Sequence, residues 1–272
     1  MTTSVPLPTP ARCAFAVLLV ATGIAAAAPS TSVYLEDLTW TELRDRIAAG
    51  ATTVLLPLGG TEQSGPHMAL GKHNQRVRVL AGRIAEKLGH AVVAPVVAYV
   101  PQGTITPPTE HMRWPGTISI PPAVFEATLE GAVRSLRQGG LCHVVLLGDH
   151  GGYRASLSKV AAKLNNGGAA CRVHALPEYY RAAATDFGQA LRAKGFGADE
   201  IGTHAGLADT ALMLAVDPAF VRQELLAAKT KEASGVAGDP SRASADLGRP
   251  GLDHIVETAV AAIRAAIRQD KP

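Results

Sequence analysis

From residue 30 onward, short apolar segments alternate with longer segments whose apolar positions recur every three or four residues. The short segments have the length and the β-branched content of buried strands and lie at 53–58, 91–95, 143–148 and 172–176. The longer ones predict helices at 75–88, 122–139, 155–165, around 210–214 and at 253–268. Strands and helices that alternate in this way are typical of βαβ units. The pattern therefore predicts an α/β fold with one mostly parallel sheet.

Two segments interrupt the alternation, at 97–120 and 231–251. The first contains four prolines and the second is rich in Gly, Pro, Ser and Asp, so both are predicted to be long loops. Long loops at the carboxyl edge of a sheet are more often functional than merely connecting. No linker or internal repeat divides the remainder, and residues 29–272 are predicted to form a single domain.

The first 28 residues have a different composition from the rest. Arg12 is their only charge, residues 13–27 are all apolar or small, and three alanines at 26–28 supply a small-residue cleavage site. This predicts a secretory signal peptide at 1–28 and export to the periplasm or the medium. The alternative is an uncleaved anchor, but about 15 apolar residues are fewer than the roughly 20 that span a bilayer. We expect no membrane span after cleavage.

Charge and cysteine content narrow the class of protein. Lys and Arg number 26 against 23 Asp and Glu, and no basic run is long enough to indicate a nucleic-acid partner.

Cys142 and Cys171 each precede a predicted strand. Neighbouring parallel strands could bring the two thiols together in an oxidising compartment. Two free buried thiols fit the sequence equally well.

Polar side chains concentrate where two predicted strands end. Glu62, His67 and His73 follow the first strand, and Asp149 and His150 follow the third. The carboxyl ends of parallel strands line the ligand crevice of an open sheet, so these groups are expected to lie together. Glu62, His73 and His150 offer one carboxylate and two imidazoles, which suit Zn²⁺, Mn²⁺ or Fe²⁺ with positions open for substrate. The alternatives are a solvated loop and a helix-capping turn.

Further candidates lie in two other segments. His204 precedes a helix and Asp209 lies in its first turn, where an acidic residue also favours the helix dipole. The predicted substrate-facing residues are Glu110, His111, Arg113 and Trp114 of the first long loop, a candidate lid, and Tyr153. Nucleophile-elbow, Walker and dinucleotide-binding motifs are missing from the sequence, which disfavours covalent serine and nucleotide chemistry.

Four of these segments together resemble the creatininase family, the creatinine amidohydrolase-like proteins. They are EQSGPHMAL at 62–70, WPGT at 114–117, DHGGY at 149–153 and HAGLADT at 204–210, in the family's order. The resemblance spans about residues 34–267. It implies a three-layer α/β/α sandwich, a homo-oligomer that is often a hexamer, and a divalent-metal centre that hydrolyses amide C–N bonds of small substrates.

The resemblance also implies ligand positions, three of which are altered. The family's two-metal centre uses the positions of Glu62, Ser64, His73, His150 and Gly152. Here His73 stands for an aspartate shared by both ions, Ser64 for a histidine, and Gly152 for a glutamate. We therefore predict one tightly bound ion, Zn²⁺ or Mn²⁺, on Glu62, His73 and His150.

A second ion is predicted to be weak or missing unless another carboxylate supplies a ligand. The candidates for such a second site, or for bracing the ligands, are Ser64, Asp149 and His67, with Asp209 as a further carboxylate. In the predicted hydrolysis His204 is the general acid for the leaving nitrogen, and Asp209 orients it or the water. Two other functions stay open: an exported protein that binds a small ligand or a metal without turnover, and an Fe²⁺ site for oxygen chemistry.

Overall fold

The structure, a computed structural model, describes Met1 and residues 31–166, 171–227 and 234–269. All of the predicted signal peptide after Met1 lies outside the described residues. Within the described ranges, none of the helices has both the length and the apolar composition needed to cross a bilayer.

Four parallel strands form the sheet, in the order β2-β1-β3-β4. They are β1 Thr53–Leu58, β2 Ala91–Val93, β3 His143–Gly148 and β4 Val173–Ala175, each at a predicted position. The central pair, β1 and β3, is aligned along its whole length. Every residue of β1 is buried, as expected for a parallel sheet that is covered on both faces.

Helices cover both faces of the sheet. In chain order they are α1 Trp40–Ala48, α2 Lys72–Leu88, α3 Pro122–Gln138, α4 Arg154–Asn165, α5 Pro177–Arg181, α6 Phe187–Ala193, α7 Ala198–Ile201, α8 Leu207–Val216 and α9 Ala245–Gln269. Leu55 of β1 belongs to the core formed with α2, α8 and α9, whereas its neighbours Val54 and Leu56 belong to the core formed with α3 and α4. This alternation confirms the three-layer α/β/α sandwich.

Three helical regions depart from the sequence prediction, and one of them is the set of short helices α5, α6 and α7 between β4 and α8, which was not predicted. The predicted loop at 231–251 ends early, because α9 begins at Ala245 and carries Pro250 inside it. Glycines at 248 and 251 suggested a loop, yet both are buried where α9 packs against its neighbours. Helix α1 was not predicted; it has no buried residue, and its clearest local signal is the capping box of Thr39 and Glu42.

Cys142 and Cys171 form a disulfide, which realises one of the two alternatives that the sequence left open. The two residues precede β3 and β4, whose backbones are adjacent in the sheet. Their Cα atoms are 4.5 Å apart. The bond therefore links the two strands at the edge of the sheet opposite the polar clusters.

The polar clusters lie at the carboxyl edge of the sheet, as predicted. The chain leaves β1 towards β2 on one side, while β3 lies on its other side. Such a reversal of strand order opens a crevice between the two strand ends. Glu62 follows β1 and His150 follows β3, so both enter this crevice.

Candidate metal centre

Glu62 lies in the loop after β1, is completely buried, and has imidazole rings on both sides of its carboxylate. On one side, Nε2 of His73 is 2.8 Å from Oε1 and Nε2 of His150 is 3.1 Å from Oε2. On the other side, Nδ1 of His204 is 3.7 Å from Oε1 and Nε2 of His111 is 3.6 Å from Oε2. Among the described residues, none forms a hydrogen bond of good geometry with Oε2. A buried carboxylate oxygen that accepts no well-aligned hydrogen bond and faces imidazole nitrogens is suited to a cation.

The environment of Glu62 keeps its carboxylate ionised. Burial alone would raise the pKa of this group, but the nearby charge of His73 and the Lys72 ammonium, whose Nζ is 3.8 Å from Oε1, outweigh it. The pKa of Glu62 is therefore held far below its usual range. The centre of the crevice carries a fixed negative charge.

His73, in the first turn of α2, is oriented by Asp149. Its Nδ1 donates to Oδ2 of Asp149 at 2.6 Å, which turns Nε2 towards Glu62. Asp149 also accepts hydrogen bonds from Arg76 (3.0 Å) and from the hydroxyl of Tyr179 (2.9 Å). Burial lowers the pKa of His73, but the charge of Glu62 and the hydrogen bond to Asp149 raise it by more than burial lowers it. The pKa of His73 is therefore above its usual value. Asp149 thus orients a candidate ligand, and a carboxylate behind an imidazole is the usual arrangement in metal sites.

His150 begins the 3-10 turn that follows β3. Its Nδ1 accepts the N–H of Gly152 at 3.0 Å, which leaves Nε2 facing Glu62. A Cβ atom on Gly152 would lie 2.9 Å from Cε1 of His150, so a side chain here would push against the ring. Ser64 is completely buried, and its hydroxyl has no partner among the described residues. Of the three altered family positions, Ser64 and Gly152 therefore provide no strong ligand for a second ion.

Gln63 holds the other two imidazoles. Its backbone carbonyl accepts Nε2–H of His204 at 2.9 Å, which leaves the Nδ1 lone pair directed at Glu62. Its side-chain amide donates to Nδ1 of His111 at 3.0 Å. Burial and the charge of Lys72 lower the pKa of His204 to about 4, and burial lowers that of His111. His204 is therefore neutral at neutral pH.

The described residues contain two groups of side chains that are close enough to share a metal ion. One is the predicted set, Glu62 with His73 and His150; the other is Glu62 with His111 and His204. In each group the ligand atoms lie within 4.8 Å of one another. The second group was not predicted, because His111 was placed on a lid and His204 was assigned a role in proton transfer. His111 lies 48 residues from its partner Gln63, a separation that gives no local signal.

Asp209 has a different environment from the predicted one. Its carboxylate pairs with Lys72 and with Nη1 of Arg76 (2.6 Å), and it accepts the N–H of Ala205 at 3.1 Å. Asp209 therefore neutralises two buried cations and holds the loop that carries His204; within the described chain, its hydrogen bonds do not include the His204 ring. Sequence reasoning missed Lys72 and Arg76, although both lie within one turn of His73.

Tyr153 is buried, which gives no support to its predicted contact with substrate. The side chain is 1% exposed, and its hydroxyl donates to the carbonyl of Leu58 at 2.6 Å, which ties the end of β1 to the turn after β3. His67 braces the loop, with Nε2 at 3.0 Å from the hydroxyl of Thr210. The predicted lid residues differ in burial: Glu110 and Arg113 are exposed and Trp114 is half-buried. Their contact with substrate stays a prediction.

A cavity of about 420 Å³ opens beside the imidazole rings. Its lining includes His73, His111, His150 and His204, together with Lys72 and Tyr180. This volume is in the range of small-molecule sites. A small polar ligand in the cavity would lie next to the nitrogens that face Glu62.

The sequence profile of the creatininase family, described as creatinine amidohydrolase, matches residues 36–263. The chain belongs to the creatininase family. Among its creatininase-family relatives, a creatinine amidohydrolase from Pseudomonas putida is 32% identical over 121 residues, which cover 44% of this chain and 46% of that protein. A mycofactocin precursor peptide peptidase from Mycolicibacterium smegmatis is 37% identical over 116 residues, 41% of this chain and 44% of that protein. The aligned part thus spans less than half the length of these two relatives.

Solved creatininase structures share this fold. A crystal structure of creatinine amidohydrolase has a TM-score of 0.71 and 27% identity, and the match covers 89% of this chain and all of the other. A manganese creatininase and a variant creatininase of zinc–zinc type each have a TM-score of 0.70. The manganese creatininase is 27% identical to this chain, and the match covers 86% of this chain and 98% of the other. The zinc–zinc variant is 26% identical, and the match covers 87% of this chain and 99% of the other. The creatininase fold therefore extends over nearly all of the described residues.

Proposed function

We propose that this chain is a metal-dependent hydrolase that cleaves the C–N bond of a small polar amide, cyclic amides included. One observation carries the proposal: Glu62 is buried and ionised between imidazoles, beside a cavity of about 420 Å³. Membership of the creatininase family supports the same reaction class. So do the described activities of its relatives, an amidohydrolase and a peptidase, which both act on C–N bonds.

Glu62, His73 and His150 would hold one Zn²⁺ or Mn²⁺ ion tightly. Asp149 orients His73, and Oε2 of Glu62 accepts no well-aligned hydrogen bond from the described residues, so the donor set fits a divalent cation. Such an ion supplies Lewis-acid polarisation of a carbonyl group and makes water more acidic. The neighbouring protein groups supply the rest of the chemistry.

His204 moves the proton in this proposal. Its Nε2–H is held by the Gln63 carbonyl, and its low pKa leaves Nδ1 unprotonated before reaction. His204 therefore first accepts a proton at Nδ1 from the attacking water and then donates it to the leaving nitrogen. The general-acid role expected from the sequence is kept, with the proton acquired during the reaction. Asp209 acts indirectly, because it fastens Ala205 next to His204.

The setting of the enzyme is also a proposal. The composition of residues 1–28 supports export, and a disulfide between Cys142 and Cys171 is in keeping with an oxidising compartment. Family membership supports a homo-oligomer, with a hexamer as the specific expectation, acting on a small-molecule substrate. The composition gives no support for a nucleic-acid partner.

Metal content and turnover test the proposal. The full chain is expressed, purified without chelator and analysed by elemental analysis beside His73→Ala and a control, His90→Ala, which removes an exposed histidine outside the crevice. We expect about one Zn²⁺ or Mn²⁺ per chain in the wild type and in the control, and a loss in His73→Ala. Hydrolysis is then measured on a panel of cyclic and linear amides.

The alternatives give different results in the same experiment. Chelation should abolish hydrolysis, and added Zn²⁺ or Mn²⁺ should restore it. A protein that contains no stoichiometric metal and hydrolyses none of the amides would be a binding protein instead. Stoichiometric Fe²⁺ with oxygen consumption would replace the hydrolase by an oxygen-using enzyme.

A further inference from the structure

We propose that Glu62, His111 and His204 form a second, weaker divalent-cation site, and that a cation in this site inhibits the enzyme. The altered family positions do not supply it: Ser64 is a poor ligand, and Gly152 has no side chain and no room for one beside His150. The ligands come instead from His111, in a 3-10 turn at Glu110–Arg113 within the first long loop, and from His204, in the loop before α8.

Glu62 is placed to serve two cations. Each of its oxygens faces one imidazole from each pair: Oε1 lies near His73 and His204, and Oε2 near His150 and His111. A carboxylate offers about four acceptor positions on its two oxygens. One ion on the His73 side therefore leaves lone pairs on the side of His111 and His204.

The rings of His111 and His204 are arranged as a pair. Their centroids are 4.4 Å apart, and their side chains are 20% and 15% exposed, which allows a cation to enter from the cavity. His204 is in the required tautomer, because the Gln63 carbonyl holds Nε2–H and leaves Nδ1 free. A backbone carbonyl behind an imidazole is a usual support for a metal ligand.

Two features make this site weaker than the first. The support of His111 is not one of them, because His111 and His150 each accept an N–H at Nδ1, from Gln63 and from Gly152, and each must take a proton there to bind a metal at Nε2. The Lys72 ammonium, 3.8 Å from Oε1, repels a second cation. The second pair also has no equivalent of the bond from His73 to Asp149. Outer partners of this kind change metal affinity by about 10–100-fold, which is the difference we expect between the two sites.

We expect inhibition because Nδ1 of His204 would both bind the second cation and accept the proton in the reaction. A cation bound to Nδ1 of His204 takes the lone pair that accepts the proton in the proposed reaction. This part rests on the proposed function, whereas the binding of the second cation does not.

Calorimetric titration of the full, chelator-treated protein with Zn²⁺ tests the site. We expect two steps in the wild type and in His90→Ala, with the second about 10–100-fold weaker. His111→Ala and His204→Ala should each lose the weaker step and keep the tighter one, and His73→Ala should lose the tighter one. Circular dichroism of each variant checks that it is folded. A single step in the wild type, or a second step that survives in both His111→Ala and His204→Ala, would overturn the proposal.

Turnover measured against Zn²⁺ concentration tests the inhibitory effect. Activity should rise as the tighter step fills and fall as the weaker step fills, and the fall should be missing in folded His111→Ala. A weaker step that fills without any loss of turnover would overturn the inhibitory role. If none of the amides is hydrolysed, the proposed function fails but the titration still decides whether the second site exists.

Discussion

At the scale of single residues, the hydrogen bond between Asp149 and His73 orients the His73 ring, and we expect it to strengthen metal binding at Nε2. The Asp149 carboxylate accepts Nδ1–H of His73 at 2.6 Å and is itself held by Arg76 and Tyr179. We expect Asp149→Asn to weaken Zn²⁺ binding at the tighter site about 10–100-fold, because an amide oxygen is a weaker acceptor than a carboxylate. Competition with a chromogenic chelator measures the change.

The matched control for this substitution is Tyr179→Phe. It removes one hydrogen bond to Oδ1 of Asp149 but leaves the bond from His73 to Oδ2. We expect a smaller change in Zn²⁺ affinity than in Asp149→Asn. Equal affinities for wild type and Asp149→Asn would show that the carboxylate does not support the ligand.

Site residues could be predicted from the sequence where their residue type and their position after a strand end both indicate a metal site. Glu62, His73 and His150 are strong ligands placed after strand ends, and they meet as expected. Tyr153 and Asp209 carry equally polar groups, but the structure commits them to Leu58 and to Lys72 and Arg76. Polarity alone does not tell which partner a side chain meets.

At the scale of secondary structure, the packing of α9 on α8 depends on a glycine inside a helix. A Cβ on Gly248 would overlap the carbonyl oxygen of Ala211 in α8, whereas a Cβ on Gly131 in α3 would meet nothing within 4 Å. We expect Gly248→Ala to lower the free energy of unfolding by about 1–3 kcal/mol, because the helices must move apart. Urea denaturation of the metal-free protein measures it.

The control is Gly131→Ala, which makes the same change in an open helical position. We expect it to raise the free energy of unfolding by about 0.5–1 kcal/mol, since alanine is the better helix former. Equal effects of the two substitutions would contradict the close contact of α8 and α9.

The same glycines explain why the start of α9 was not predicted. Gly248, Pro250 and Gly251 are helix breakers by local preference. Gly248 and Gly251 are buried at the contact with neighbouring helices, where a small residue is required. The four strands, in contrast, were found at their predicted places, because a strand buried on both faces is continuously apolar.

At the scale of the whole molecule, the disulfide closes a long loop between neighbouring strands. Cys142 and Cys171 are 29 residues apart, so the chain-entropy argument gives about 3–4 kcal/mol of stabilisation. We expect the double variant Cys142→Ser, Cys171→Ser to lose this amount in urea denaturation without reductant. Wild type with reductant should match the double variant, and adding reductant to the variant should change nothing.

Two outcomes would contradict this account of the disulfide. If wild type and the double variant unfold at the same urea concentration, the bond does not stabilise the fold. If reductant destabilises the variant as much as the wild type, the effect comes from elsewhere in the protein.

The candidate centre is itself a property of the whole molecule. Its ligands come from the loop after β1, the first turn of α2, the turn after β3, the first long loop and the loop before α8. His204 is held in part by backbone hydrogen bonds with Ala237 of the second long loop. Segments far apart in the chain thus meet at one crevice.

The amino-acid pattern was enough for the α/β class, the four strands, the crevice and the meeting of Glu62, His73 and His150, because periodicity and residue type are local properties and parallel strand ends share an edge. The tertiary structure decided that His111 joins His204 at Glu62, that Asp149 backs His73, and that Lys72 and Arg76 are paired with Asp209. These contacts depend on distances between side chains from separate loops, and those distances are set by how the two layers of helices pack on the sheet.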